Sequence, residues 1–441
     1  MPSTGDIDAL LDRGCFTCLE QALAAAEERR VPLPAFEAAA LLALRTTELG
    51  MPSEAWLTRA RALAADDPRR TLYLEMLAAI PPDPLRGVRE DLLFETQARN
   101  RARSLLPSWR EALRTGAISS RFRQYLDLAL TCTVDTSPER DREIASLVAG
   151  LPDVPLLQYR AGICLSLYAP QLTALRTRDV DFVDADYVMG KHALEGAAPD
   201  PEEAMRRFRA AVAAFPASTA IPVAIGNLYQ AWEEWTNALS AYDSALALLP
   251  THPDALLGRA ISLSHLNRHQ EAIDAATRLI DGGRWFLGQA HYWRAWNHYN
   301  LGDNAAARLD ADRTRTLMVN SSVFVLSGLI EWRVRHLDTA EHEFQEALTM
   351  DFGQCQAALY LGAVRSERAK RPEAIAAFNQ ARQCYDLTMA VHRKAIADLV
   401  AGPGTPQSKA REVARNERAI VEAEARRGEA GKAIEQVRSV K

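Results

Sequence analysis

The stretch ASTAIPVAIGNLYQAWEEWTNALSAYDSALALLP occupies residues 217–250 and carries small residues at Gly226 and Ala238 and an aromatic residue at Tyr242. Counting in steps of 34 residues from Ala238 reaches alanine in both directions, at Ala204, Ala272, Ala306, Ala340 and Ala374. Chance does not keep six alanines in register. Self-similarity at this period is typical of stacked supersecondary units.

Other positions of the repeat move together with the alanines. Gly226 is followed by small residues and Tyr242 by aromatic residues, namely Ala260, Gly328 and Gly362 in the first set and Phe344 and Phe378 in the second. A small residue in one helix lets a second, antiparallel helix approach closely, and the aromatic residue of that second helix fills the remaining space. No unit of this kind buries its apolar face alone, so the pattern predicts an all-α array of helix pairs.

The 34-residue pattern resembles the tetratricopeptide repeat (TPR) family over residues 184–386, a span for six repeats. The resemblance implies an α-solenoid of antiparallel helix pairs, wound into a superhelix whose concave surface binds other proteins. One copy departs from the pattern. It has Asp310 and Arg313 where an aromatic residue and an alanine are expected, and one extra residue near Asp281.

The flanks of the repeats are helical in composition but lack the clean spacing. Residues 1–183 are predicted to form degenerate TPR-like helical pairs, and residues 387–441 to form C-terminal capping helices that end the array with a polar face. The segment 179–187 contains four aspartates without the glycine and glutamate of a calcium loop, so it is predicted to be a solvated linker. A helix over 387–400 is expected to stop at the segment AGPGTPQ, residues 401–407.

Composition limits the function classes. The 441 residues are 48% hydrophobic and 25% charged, with a net charge of -5, so the chain lacks the positive field that drives nucleic-acid binding. No apolar run is long enough to span a membrane, and the first residues do not resemble a signal peptide. A cytoplasmic location is therefore predicted for the sequence as written. Removal of a signal or of a lipidated N-terminus would make an exported or periplasmic location the alternative.

Six cysteines lie at positions 15, 18, 132, 164, 355 and 384. In a chain of this size they are too few and too scattered to indicate a disulfide scaffold. Cys15 and Cys18 form one C-x-x-C motif, which we interpret as two buried helix residues. Zinc binding or redox chemistry is the alternative for that motif, although the second cysteine pair or the strand-turn-helix context that each would need is not evident.

Residues 284–300 read RWFLGQAHYWRAWNHYN and are rich in aromatic residues. Tyr292, Trp296 and Tyr299 are spaced i, i+4 and i+7 and form one stripe on a helix, called here the aromatic stripe. In the TPR family the equivalent stripe faces the groove. The other predicted groove residues are Asn227, Gln230, Leu257, Ile261, Val325, Leu329 and Trp332. Packing of these side chains within the core is the alternative interpretation.

No metal or cofactor is predicted. His291 and His298 are seven residues apart, about 10.5 Å along a helix, whereas two ligands of one zinc ion must each lie about 2.1 Å from it. A secondary basic patch contains seven arginines at positions Arg99, Arg101, Arg103, Arg110, Arg114, Arg121 and Arg123. It is either a solvated face or a docking site for an acidic protein or membrane surface.

Motifs of phosphate-binding loops, dinucleotide folds, serine hydrolases and zinc proteases are missing from the sequence. The predicted function is therefore a non-catalytic scaffold that binds a segment of another protein in the groove. A self-assembling structural subunit, and hence a homo-oligomer, is the first alternative. An enzyme concealed in a helical solenoid is the second.

Overall fold

A computed structural model describes residues 4–65, 67–80, 92–135, 139–150, 154–164, 169–194, 199–283, 285–402 and 406–439. Within these ranges the chain forms α-helices and turns, with no strand, which confirms the predicted all-α class. The helices of the N-terminal half are α1 Thr4–Arg13, α2 Phe16–Glu28, α3 Pro32–Glu48, α4 Glu54–Ala64, α5 Pro68–Ala78, α6 Leu92–Thr115, α7 Ser120–Thr133, α8 Arg140–Ala149, α9 Pro155–Cys164, α10 Ala169–Arg178, α11 Asp184–His192 and α12 Pro201–Ala214.

The helices of the C-terminal half follow the predicted pairs. They are α13 Ala220–Ala231, α14 Trp235–Leu248, α15 Pro253–His265, α16 His269–Asp281, α17 Leu287–Leu301, α18 Asn304–Leu317, α19 Ser321–Arg333, α20 Leu337–Met350, α21 Cys355–Glu367, α22 Arg371–Ala401 and α23 Pro406–Ser439. Several begin with a side chain that caps free backbone N–H groups. Asp303 accepts a hydrogen bond from the Ala306 backbone N–H at the start of α18, and Asn320 does the same for Val323 in α19.

The chain divides into two compact units within α13. The first unit contains Met1–Ile225 and Ala247–Leu249, and the second contains Gly226–Leu246 and Pro250–Lys441. The boundary predicted between residues 183 and 184 lies inside the first unit.

Close glycine–aromatic contacts join the helices of the pairs α13–α14, α19–α20 and α21–α22. A Cβ atom placed on Gly328 would lie 2.7 Å from Phe344, and one placed on Gly362 would lie 2.6 Å from Phe378. Both distances are shorter than carbon atoms tolerate, so the first helix needs glycine where the ring of the second helix touches it. These contacts are the ones that the repeat spacing predicts.

In the second unit, the turn after the first helix of each pair contains one residue whose backbone is in the left-handed conformation. These residues are Glu233 (φ 61°), Asn267 (φ 58°), Gly302 (φ 84°), Arg335 (φ 67°) and Ala369 (φ 58°). The step from Asn267 to Gly302 is 35 residues and the step from Gly302 to Arg335 is 33, whereas the others are 34. The predicted extra residue is therefore present before Gly302.

The extra residue changes the register of the helix pair α17–α18. Ala307, not the predicted Ala306, is fully buried at the position equivalent to Ala340. Ala311 and Thr314, both buried, then occupy the positions of the aromatic residue and the second alanine, so the assignment of Asp310 and Arg313 to those positions is wrong. A small residue at 311 leaves space beside Ala295, and the rings of Tyr292 and Trp296 pack against this alanine cluster.

The first unit has a different kind of interior. Phe182 and Asp184 are fully buried, and α11 is buried over most of its length, so the prediction of a solvated linker at 179–187 is wrong. Asp184 forms an ion pair with the buried guanidinium of Arg45, and Arg160 Nη1 lies 2.5 Å from Glu48 Oε1. Buried charges persist when they are paired, and a single sequence does not show the pairing.

All six cysteines lie within the described residues, and all are paired. The disulfides join Cys15 to Cys18, Cys132 to Cys164, and Cys355 to Cys384. The prediction that the cysteines form no disulfide framework is wrong, because helix packing brings distant pairs together. Cys15 and Cys18 are buried as predicted, but Cys15 precedes α2 and caps its first turn instead of lying in the helix.

The C-terminal helices also differ from the prediction at one boundary. α22 is continuous from Arg371 to Ala401, so residues 387–400 extend the last repeat helix and are not a separate helix. α23 follows after the glycine- and proline-containing segment and packs antiparallel to α22. No helix within the described ranges combines the length and apolar character needed to cross a bilayer.

Candidate interaction surfaces of the second unit

The aromatic stripe lies on α17, and all three of its side chains are half-buried. Tyr292 and Trp296 pack against the cluster that contains Leu326 and Ile330 of α19, and Trp296 and Tyr299 also contact the adjoining cluster of Val325 and Leu329. Burial raises the pKa of the Tyr292 hydroxyl. The stripe thus packs against the next helix pair and remains partly exposed.

Trp332 extends the aromatic surface on α19, which is the first helix of the next pair. Its indole Nε1 donates a hydrogen bond of 2.9 Å to Glu367 Oε1, and its ring lies 6.0 Å from that of Tyr360. The guanidinium of Arg333 lies 3.4 Å from the ring centre of Tyr299, an arrangement typical of a cation–π contact. These contacts fix the rotamers of rings that remain partly exposed.

The other predicted groove residues are not equivalent to one another. Val325 and Leu329 are only 6% and 8% exposed, so they form core under the rings rather than accessible surface. Leu257 and Ile261 are half-buried. Asn227 is exposed, but its Oδ1 lies 2.7 Å from the Tyr242 hydroxyl, which is also 2.6 Å from Gln230 Oε1. The two amides therefore serve their own helix pair, and burial raises the pKa of Tyr242.

The two histidines of α17 have separate carboxylate neighbours. His291 Nδ1 lies 2.8 Å from Asp310 Oδ1, and Arg294 donates two hydrogen bonds of 2.7 Å to the same carboxylate. Burial alone would raise the pKa of Asp310, but the hydrogen bonds from His291 and Arg294 outweigh it and leave that pKa lowered. His298 Nδ1 is 3.9 Å from Asp303. Among the described residues, no three His, Cys, Asp or Glu side chains are grouped as metal ligands.

A second aromatic group joins three helix pairs. The imidazole of His265 is stacked on Trp235, with ring centres 3.8 Å apart and planes 3° apart, and Trp293 is 5.7 Å from the same imidazole. Burial lowers the pKa of His265. The sequence places His265 at an inter-helix turn, but the stack depends on which turns are neighbours. The sequence signal for this stack is an aromatic residue at the start of α14, Trp235, and another in α17, Trp293.

The seven arginines of the predicted basic patch do not act as one surface. The Arg99 side chain lies outside the described residues, and Arg101 and Arg103 are exposed. Three others are paired with carboxylates: Arg110 with Glu143 at 2.9 Å, Arg114 with Glu111 at 2.6 Å, and Arg121 with Asp8 at 2.6 Å. The seventh, Arg123, is half-buried. Acidic residues distant in sequence reduce the net charge of the patch, which a local count cannot show.

The turn between α13 and α14 contacts the C-terminal helix α23. The Arg411 guanidinium carbon lies 3.8 Å from the ring centre of Trp232, and its Nη2 is 3.6 Å from Glu234 Oε1. One residue earlier in the turn, Glu233 accepts a hydrogen bond of 3.0 Å from Arg418. Local sequence patterns do not reveal this contact, because the partners are up to 185 residues apart.

Comparison with known proteins gives likeness at the level of structure only. No protein-family model matches the chain, and no curated protein matches its sequence. The fold resembles YrrB, described as a TPR protein with an unusual peptide-binding site, at 21% identity and a TM-score of 0.34 over 40% of this chain and 91% of that one.

Longer matches cover most of the chain. Cut9, in its complex with Hcn1, is 12% identical with a TM-score of 0.40 over 96% of this chain and 87% of that one. Yeast Tom70 is 13% identical with a TM-score of 0.35 over 92% and 89%. At these identities and TM-scores the likeness is one of helical-repeat architecture and says nothing of partners.

Proposed function

We propose that this protein is a non-catalytic scaffold whose second unit binds an apolar or aromatic segment of another protein at the aromatic stripe. One observation carries the proposal. Three large aromatic side chains that pack against neighbouring apolar clusters and remain partly exposed lie along α17, and Trp332 continues the surface on α19, the first helix of the next pair.

The physical chemistry of such rings favours binding. Aromatic side chains present a large apolar area with few rotamers to immobilise, so little conformational entropy is lost when a partner covers them. The contacts of Trp332 with Glu367 and of Tyr299 with Arg333 hold the rings before any partner arrives. Anchors of this type often account for about 2 kcal/mol or more of binding free energy each.

The test compares binding with stability. A displayed library of random peptides is selected on the wild-type chain, and the recovered binders are measured on Tyr292→Ala and Trp296→Ala. We expect affinity to fall about thirtyfold in each variant, the equivalent of about 2 kcal/mol. Urea unfolding of the same variants gives the loss of stability.

Two control variants make the result interpretable. Trp56→Ala removes a half-buried tryptophan of the first unit and should leave the affinity unchanged. Phe344→Ala removes a fully buried ring of the second unit and should cost about 3 to 5 kcal/mol of stability. Losses of that size in both stripe variants, with no specific loss of binding, would show that the stripe is core and defeat the proposal.

Self-assembly is a second candidate function, favoured by exposed apolar side chains. Phe352 is 69% exposed, and Leu387 and Val391, one helical turn apart on α22, are 64% and 66% exposed. Large apolar side chains grouped on a surface are typical of contact sites. Light scattering of the wild-type chain and of Leu387→Ser/Val391→Ser tests this function. A mass that rises with concentration only in the wild type supports assembly through α22.

A further inference from the structure

The turn of residues 232–234 differs from the equivalent turns of the unit. It combines a tryptophan with two glutamates, whereas the later turns read Leu266-Asn267-Arg268, Leu301-Gly302-Asp303, Val334-Arg335-His336 and Arg368-Ala369-Lys370. Trp232 is only 7% exposed, with Arg411 of α23 against its ring and the ring of Tyr229 5.8 Å away. We call the side chains of Trp232, Glu233 and Glu234 the acidic turn.

The contact between the acidic turn and α23 has a regular geometry. Arg411 and Arg418 are seven residues apart, so they lie on one face of α23 about 10.5 Å apart. One guanidinium covers the indole ring and approaches Glu234, and the other bonds to Glu233. Arginine suits both roles, because its flat guanidinium stacks on aromatic faces and pairs with carboxylates.

The two ends of α23 are held in different ways. The C-terminal part buries Ala423, Ala430, Ile434 and Val437 in a cluster with Phe378 and Tyr385. In the N-terminal part Asn416 is the buried side chain among those described, and Val421 is 67% exposed. Apart from Ile420, which packs against that cluster, residues 406–422 are attached mostly through charged and polar contacts, including a hydrogen bond of 2.7 Å between His392 and Asn416.

Polar contacts of this kind can be replaced by similar contacts from another molecule. Ion pairs with exposed partners contribute little to stability, and Arg418 and Glu233 are 58% and 47% exposed. The buried C-terminal part of α23 would keep the helix attached while its N-terminal part left the acidic turn. An external helix with the same arginine spacing could then take the place of residues 406–422.

We propose that the acidic turn is a receptor site for an arginine-bearing helix of a partner protein, and that α23 occupies this site until such a helix displaces it. The ligand class is a helix with arginines at positions i and i+7. The site is independent of the aromatic stripe, so it adds a second and chemically different binding surface.

The test uses the full-length chain and a synthetic peptide of residues 406–422 labelled with a fluorophore. In the chain Arg411→Glu/Arg418→Glu the internal helix is repelled by the acidic turn, and the site becomes free. We expect this variant to bind the peptide about tenfold more tightly than the wild type does, as measured by anisotropy. The milder variant Arg411→Gln/Arg418→Gln should show the same direction of change if charge reversal disturbs folding.

Two further measurements identify the site. Adding Glu233→Lys/Glu234→Lys to the reversed chain should abolish binding, and a peptide carrying Arg411→Glu/Arg418→Glu should not bind. Adding Trp296→Ala should leave binding unchanged, so failure of the aromatic stripe and failure of the acidic turn are distinguishable. A folded reversed chain that takes up no peptide, uptake that ignores Glu233 and Glu234, or exchange of α23 between two copies seen by light scattering would each overturn the proposal.

Discussion

The second unit repeats one apolar contact between paired helices, whereas the first unit combines a contact of that kind, Gly190 against Phe208, with buried ion pairs. Gly328 against Phe344 and Gly362 against Phe378 are copies of the same arrangement. The ion pairs of Arg45 with Asp184 and of Arg160 with Glu48 do not recur at the 34-residue spacing of the repeats. Similar helical composition therefore conceals two different sources of stability.

The largest loss of stability is expected in the first unit. Arg45→Ala would leave the fully buried Asp184 carboxylate without its cation and should cost about 3 to 5 kcal/mol, measured by urea unfolding and by hydrogen exchange of α3. Arg61→Ala removes an exposed arginine and should change stability by less than about 0.5 kcal/mol. The comparison breaks if Arg45→Met/Asp184→Leu is as unstable as Arg45→Ala, because removing both charges should be nearly neutral.

The next effect concerns the repeated contact of the second unit. Gly362→Leu forces a side chain onto the Phe378 ring and should cost about 1 to 3 kcal/mol in thermal or urea unfolding. Gly428→Leu is the matched control, because open space surrounds that glycine in α23. Leucine there should stabilise by up to about 1 kcal/mol through its helix propensity. Equal melting temperatures for the two variants would refute the assigned register.

A smaller effect on stability is expected at Asp310, a buried carboxylate in the helix pair α17–α18 of the second unit. The lowered pKa of Asp310 means that the folded state favours its ionised form, so this stabilisation is present above the unfolded pKa of about 3.9 and is lost as pH falls further. Asp310→Asn should cost about 1 to 2 kcal/mol at pH 7 and progressively less as pH falls below the unfolded pKa. Urea unfolding across this pH range gives the difference, and a constant difference would contradict the assignment.

The smallest predicted change is a gain of stability at Ala369. Ala369 has a φ of 58°, which is strained for a residue with a Cβ, so Ala369→Gly should stabilise by about 0.5 to 1 kcal/mol. Ala397→Gly is the control of opposite sign, because Ala397 lies exposed in the interior of α22 and glycine there costs about 1 kcal/mol. Thermal unfolding of the two variants should shift in opposite directions, and shifts in the same direction would count against strain at the turn.

The sequence predicts the second unit well because its contacts repeat. The positions of Gly226, Gly328 and Gly362 follow from counting, and each lies where a second helix makes close contact. Counting fails at Ala306, where one inserted residue moves the buried position to Ala307. A local shift of this kind is visible in the sequence only as extra length.

The first unit and the candidate sites are less predictable, because they depend on pairs that are distant in sequence. The sequence around Asp184 does not indicate that Arg45 is its partner, and the sequence around Glu233 does not indicate Arg418. The aromatic stripe is found from helical spacing, but the partial burial of its rings depends on Ala311 and on the neighbouring α19. Local patterns thus identify candidate residues, while their burial is a property of the tertiary structure.

The paired cysteines connect the stability of the chain to the redox state of its surroundings. Cys132–Cys164 and Cys355–Cys384 close loops of about 30 residues, one in each unit, and cross-links of that length commonly contribute about 2 to 4 kcal/mol. Glutathione and thioredoxin would keep such thiols reduced in a cytosol, whereas secreted and periplasmic proteins retain them as disulfides. The same sequence would therefore have two different stabilities on the two sides of a membrane, and oxidising conditions would favour both units at once.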